Sequence, residues 1–171
     1  MLADRHYSRR TVGARQFVYS GRKLILRDTK GDVLFAWLWP DADKRMDGQT
    51  GFNCAIFRNE SSRKASSIIL EAERAAIARW GMNRMFTYID PRKTRVIKRR
   101  GKRIVGACYL VAGWKMVVKK NGKPHESKAG QYLFVKLPRH HAESVRLPDS
   151  AATHSEGRDP EPSQTEAQLL K

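Results

Sequence analysis

Short apolar runs separated by turn residues dominate the first half of the chain. "KLILR" and "VLFAWLW" are β-rich runs set off by Ser20-Gly21 and Lys30-Gly31-Asp32, and they predict a hairpin or meander over residues 16 to 39. A polar stretch holding Pro40, Asp41, Asp43, Asp47 and Gly48 reads as a loop, and "GFNCAIF", 51 to 57, has the length of a buried strand. The period then changes. In "ASSIILEAERAAIARWG", Ile69, Ala72, Ala76 and Trp80 recur at helical spacing, while Glu71, Arg74 and Arg79 keep largely off that face. The preceding "SSRKASS" offers serine N-caps, and Gly81 suits the position just past a helix end. "MFTYID" is a further strand, stopped by Asp90-Pro91. Strand, helix and strand between Phe52 and Ile89 form one βαβ unit, which implies parallel pairing and a right-handed crossover.

Downstream, "IVGACYLVAGW" reads as a short helix ending at Gly113. "WKMVV" and "QYLFVKL" read as two strands joined through an Asn121-Gly122 turn. From His140 the chain is rich in Ser, Pro, Glu and Asp and poor in large apolar residues, so residues 140 to 171 are expected to be a disordered tail. Residues 1 to 139 are then one α/β domain with a mixed sheet: an N-terminal antiparallel meander, a central βαβ unit and a closing hairpin.

Charge changes this picture from a generic α/β domain to one with a partner. Lys and Arg number 34 against 17 Asp and Glu, a formal +17 and a pI near 10.4. Residues 1 to 139 carry 31 basic against 11 acidic residues, while the tail has three against six. A body so charged repels itself unless it meets a polyanion, and nucleic acid is the usual one, although ribosomal and secretory proteins can be as basic. The excess peaks at "PRKTRVIKRRGKR", with eight Lys/Arg in residues 92 to 103; residues 91 to 125 hold twelve and no acid. Arg92, Lys93, Arg95, Lys98, Arg99, Arg100, Lys102 and Arg103 are expected to hold phosphates, and the lack of interleaved aromatics favours tracking of the backbone. The acidic tail could compete for that patch or simply be a solubilising tail.

Two cysteines, Cys54 and Cys108, are too few for a disulfide framework or an all-cysteine zinc site and read as small buried hydrophobes. No apolar run is long enough to span a membrane, and "MLADRHYSRR" lacks the apolar region of a signal peptide, so a cytoplasmic protein is expected. Nothing in the sequence speaks to oligomeric state.

Four places could carry chemistry. The junction "RNESSRKASS" puts Arg58, Asn59, Glu60, Ser61, Ser62 and Ser66 at a helix N-terminus, where free amides and the helix dipole favour an anion such as the diphosphate of coenzyme A. It has no glycine, so it matches neither a P-loop nor a dinucleotide fingerprint, and it also reads as a polar loop with ordinary caps. Asp90 ends a parallel strand, where α/β sheets usually bind ligands, though Asp-Pro is equally a plain turn. Tyr109 is a phenol within an apolar helix, either core or a general acid. His6-Tyr7, in "ADRHYSRR", is a solvated tail or a proton-transfer pair, with Arg5, Arg9 and Arg10 beside it to hold phosphates. His6, Asp90 and the phenols could make a weak iron or zinc site, but their spacing carries no ligand signature and no metal is assigned.

Together the strand, polar loop, helix and strand followed by "GACYLVAGW" resemble the core of the GNAT fold of N-acetyltransferases. Within it, "RHYSR", "FRNE" and "DP…GACYLVAGW" look like the Mom-like DNA-modification proteins of phages, a likeness that covers roughly residues 3 to 137. The resemblance implies a transferase that acts on an exocyclic or appended amine of a DNA base with acetyl-CoA or another acyl-CoA as donor. It places the functional residues at His6, Tyr7, Asp90 and Tyr109. The glycine-bearing acyl-CoA signature of the superfamily is replaced here by "RNESSRKAS", and the spacing from Asp90 to Tyr109 is stretched by the basic segment. An acetyltransferase acting on a small molecule or a protein, and a non-catalytic DNA-binding protein on the same scaffold, are the other two readings.

Overall fold

Strand β2 (Val33–Trp39) is buried along almost its whole length, which explains why its sequence is a continuous apolar run and not an alternation. Val33, Phe35 and Trp37 enter the main core, while Leu34, Ala36 and Leu38 enter a smaller cluster on the opposite face. β2 therefore has chain packed on both sides. The second face is covered in part by a single 3-10 turn, Leu2–Arg5, whose Ala3 packs with Val18 and Ile56.

The computed structural model describes residues 2–6, 13, 18–40, 47–94, 96–99 and 101–137, with the backbone alone at Arg99. Tyr7, Arg9, Arg10, Arg95, Arg100 and the expected tail from 140 to 171 lie outside the described residues. β1 (Arg22–Arg27), β2 and β3 (Phe52–Asn59) form the expected antiparallel meander. Helix α1 (Ala65–Trp80) then crosses to β4 (Met85–Ile89), which pairs with β3 in parallel. A small separate hairpin, β5 (Ile97–Arg99) with β6 (Lys102–Ile104), precedes helix α2 (Ala107–Val111). β7 (Lys115–Met116) and β8 (Tyr132–Lys136) close a six-stranded mixed sheet of order β1-β2-β3-β4-β8-β7, antiparallel except between β3 and β4. This is the mixed α/β sheet expected from the periodicities, with the βαβ unit at its centre.

One local expectation is corrected, and one stretch without an expected structure is a hairpin. Lys64 takes the N-cap position of α1 and makes no side-chain capping bond, so the serines before it do not cap the helix. They are used inside the preceding loop, where Asn59 Oδ1 accepts from the Ser61 amide at 3.0 Å and hydroxyl at 2.7 Å, and Ser61 Oγ accepts from the Arg63 amide at 3.2 Å. The basic stretch, which has no alternation to mark strands, nonetheless pairs with itself around Gly101.

The two helices and the last strand are tied together by one buried carboxylate. Glu73, 5 % exposed on the inner face of α1, accepts a 2.6 Å bond from Trp114 Nε1 and is ion-paired with Lys136 of β8. Lys136 also donates to the Ala112 carbonyl at 2.7 Å, at the end of α2. Trp37 Nε1 donates to Ala72 O at 2.8 Å, so the neighbouring turn of α1 is keyed to β2 as well. Breaking a buried pair leaves the other charge uncompensated. Glu73→Leu should therefore destabilise by about 3 kcal/mol, and the double variant Glu73→Leu/Lys136→Met by clearly less. Urea unfolding of the two variants checks this; equal losses would mean the charges are not coupled.

A candidate active-site crevice

The parallel ladder between β3 and β4 is short: only Phe52↔Met85 and Asn53↔Phe86 are paired. One residue further on, Thr87 Oγ1 donates to the Cys54 carbonyl at 2.9 Å, a side chain standing where a ladder bond would be. The register between β2 and β3 then slips, with Ala36 opposite Ile56 but Trp37 opposite Cys54, so that Ala55 is an extra residue. Such a bulge bends its strand. β3 and β4 part here, and α2 fills the inner end of the gap. Gly106 makes that fit possible: its φ is +64°, and an added Cβ would lie 2.7 Å from Ile89 Cδ1 and 2.8 Å from Phe134 Cζ.

The gap is a cavity of about 410 Å³ whose wall includes His6, Asn59, Thr87, Ile97 and Tyr109. Three of the expected site residues, His6, Asn59 and Tyr109, thus meet in one place although they are far apart in sequence. Tyr109 is 6 % exposed, and its ring is held edge-on by Phe57 and Trp114 at centroid distances of 6.2 and 5.1 Å. Its hydroxyl lies 3.2 Å from Cys54 Sγ. Burial pushes the Cys54 thiol up to about 12, so it stays protonated and unreactive at neutral pH. Burial also raises the Cys108 thiol, which lines the same cavity.

His6 reaches the crevice because the N-terminal turn is pinned down. Glu60 accepts from Arg5 Nη1 at 2.6 Å and from Arg58 Nε at 3.0 Å, and Arg58 Nη1 donates to the Arg5 carbonyl at 3.2 Å. Arg5, expected to hold phosphates, and Arg58 and Glu60, expected to hold a cofactor, are engaged in fastening the residue before His6 to the end of β3. Burial, followed by the nearby Arg58 cation, pushes the His6 imidazole down to about 4. It is neutral at pH 7 and resists protonation until about pH 4.

Asp90 has a different place from the one expected of a catalytic carboxylate. It is 4 % exposed, and its oxygens are taken by the Arg92 amide at 2.9 Å and by Arg92 Nε and Nη2, each at 3.0 Å. Arg92 Nη2 also donates to Ala129 O at 2.9 Å, tying the end of β4 to the loop before β8. The Arg92 hydrogen bonds hold the Asp90 carboxyl below the usual carboxylate range. Asp90 is not among the residues that line the crevice. Ser61 is used within its loop, Ser62 is exposed, and Ser66 sits half-buried in the first turn of α1.

No protein-family model, curated protein or solved structure matches the chain. Among the described residues no group of three or more His, Cys, Asp or Glu could hold a metal ion, and no helix is long and apolar enough to cross a membrane.

Sequence reasoning placed His6, Asn59 and Tyr109 among the site residues but missed three parts of the setting: Thr87 and the Ala55 bulge, the Arg5–Glu60–Arg58 clasp, and Ile97 as a wall of the crevice. Only the clasp had a signal, opposite charges in "RNE", and that pattern is indistinguishable from a solvated loop.

The sign of the His6 shift gives a test. Between pH 6.5 and about 4 the unfolded chain binds a proton at this imidazole that the folded chain refuses. That contribution to stability is complete above pH 6.5 and lost as pH falls toward 4. Between pH 7 and pH 5 the wild type should lose more stability than His6→Gln, measured by urea midpoints. Equal losses would place His6 in solvent.

Proposed function

We propose that the chain is a DNA base-modifying transferase with a GNAT-like fold, similar to the Mom-like proteins, acting on an exocyclic or appended amine of a nucleobase with an acyl-CoA-type donor. The observation that carries this reading is a single crevice that gathers a neutral imidazole, a buried phenol and a helix N-terminus beside a strongly basic hairpin. Its fold-level support is the one parallel pair, splayed after two residue pairs and bridged by a helix, within an otherwise antiparallel sheet.

A diphosphate-bearing donor is accommodated at the start of α1 better than in the loop before it. The amides of Ala65 and Ser66 precede the first intrahelical bonds, Lys64 provides no side-chain cap, and the crevice extends to Asn59 and Ala65. The amides of Ser61 and Arg63, by contrast, are already satisfied inside the loop. When bound, the donor supplies an activated acyl group. As the amine nitrogen would bond to the acyl carbon and the donor's C–S bond would break, the His6 imidazole would take the amine proton and Tyr109 Oη, at the inner end of the crevice, would give a proton to the departing thiolate. Asp90, kept ionised by Arg92, positions the end of β4 and leaves the base role to His6. Lys98, Lys102 and Arg103 of the hairpin have no ion-pair partner among the described residues and are the proposed phosphate contacts. A base within a duplex cannot enter a crevice of this size, so it must be flipped out or unpaired.

Mass spectrometry of nucleosides from cells expressing the chain should reveal a modified base. His6→Ala and Tyr109→Phe should each lower its yield about 100-fold or more while leaving the fold intact. No new base, in host DNA or in pre-modified phage DNA, would refute the reading. The self-satisfied loop favours one second reading, a non-catalytic DNA-binding protein on the same scaffold. Acetyl-CoA should raise the melting temperature of the transferase by several degrees at saturating concentration and leave the binding module unchanged, with salt-dependent DNA affinity in both cases.

A further inference from the structure

Against strand β6 of the hairpin lies a second and larger cavity, of about 950 Å³. Apolar residues line it, Val105, Leu110 of α2, Met116 of β7 and Pro124, together with Tyr132 at the start of β8. Lys102, Arg103 and Arg92 line it as well. The Arg92 guanidinium is committed to Asp90, which leaves Lys102 and Arg103, both exposed on the hairpin, as the available cations. No acid occurs in the sequence from residue 91 to 125, so this cavity stands in the most one-signed part of the chain.

We propose that this cavity is a binding groove for single-stranded DNA. A ligand that suits it needs apolar faces for this lining and negative charge for the cations. Unstacked nucleotides have both; a duplex hides its base faces and offers only phosphates and groove edges. The groove also exceeds what one nucleotide fills, and the cation row continues past it to Lys98 on the facing strand, opposite Arg103. A cofactor nucleotide would use neither the extra volume nor the outlying cation. The two cavities meet at the hairpin: Ile97 is in the wall of the crevice with His6 and Tyr109, and Ile104, its cross-strand partner on the same hairpin face, is in the wall of the groove. A strand lying in the groove can pass one base across this pair into the crevice.

The proposal takes its partner from the reading of the chain as a DNA-modifying protein, and binding alone tests it. Fluorescence anisotropy of the full chain is measured with a labelled oligonucleotide, single-stranded or annealed to its complement, at about 150 mM salt. The single strand should bind about ten-fold more tightly than the duplex. Tyr132→Ala should cost the single strand about ten-fold, with Tyr132→Phe restoring it and duplex affinity unmoved. Leu110→Glu is the second variant, because Leu110 is already 40 % exposed and its replacement leaves the core untouched. It should weaken the single strand comparably. Lys102→Ala/Arg103→Ala should flatten the salt dependence by about one to two phosphate contacts. Equal affinity for duplex and single strand, indifference to both Tyr132→Ala and Leu110→Glu, or displacement of the strand by coenzyme A would each overturn the groove. Strand binding as described with no modified base would leave the groove standing and remove the transferase; a modified base with equal duplex affinity would do the reverse.

Discussion

Beyond Asn53 and Phe86 the two central parallel strands part, because an extra residue at Ala55 bends one of them and a threonine hydroxyl, not a backbone amide, makes the last link. Opening a sheet at its centre exposes backbone groups that must find partners elsewhere. Here the gap is filled from α2, whose start at Gly106 approaches Ile89 and Phe134 more closely than a side chain would allow. That approach brings Tyr109 between Phe57, Trp114 and Phe134 and sets its hydroxyl against Cys54. The crevice is the space that remains. Its position follows from the strand defect, and its contents follow from which residues flank the defect.

Holding the gap open needs a rigid surround, and two polar clusters supply it at opposite ends. Glu73, with Trp114 and Lys136, locks α1, the end of α2 and β8 into one unit. Arg92, with Asp90 and Ala129, locks the end of β4 to the loop that leads into β8. In both, a carboxylate that is 4–5 % exposed is matched by a cation with further hydrogen bonds, which is the condition under which burying a charge is tolerable. The Arg5–Glu60–Arg58 clasp is a weaker device. Its side chains are 26 to 66 % exposed, so its Coulomb energy is largely screened, and its value lies in where it puts the N-terminal turn.

Period and turn chemistry made the frame legible in the sequence. The helical spacing of Ile69, Ala72 and Ala76, bounded by Gly81, marked α1, and the apolar runs on either side marked the strands that flank it. What stayed hidden depended on tertiary partners. The basic hairpin has one apolar cross-strand pair, Ile97↔Ile104, and no alternation, so nothing in its composition announces strands. Serines before a helix ordinarily signal caps; here Asn59 recruits Ser61 first, and the cap position falls to Lys64. The engagement of Asp90 by Arg92 was not legible, because a clamp between residues two apart leaves no trace in periodicity. The bulge at Ala55 is equally silent, since β3 keeps alternate burial at Phe52, Cys54 and Ile56 across it.

The hairpin's own energetics bear on how charge and fold are joined. Lys98 stands opposite Arg103, and like charges directly across a strand pair are destabilising by about 0.2–1 kcal/mol. A three-residue pairing with a single apolar contact has little to offset that cost in the free protein. Under the proposed reading, neutralisation by phosphates removes the repulsion and leaves the backbone pairing in place, which adds stability to the hairpin. Because Ile97 of that hairpin is a wall of the crevice and its partner Ile104 borders the larger groove, the proposed neutralisation firms the wall the two cavities share. The hairpin is paired in the protein alone, and under the same reading a polyanion stabilises a wall that already stands.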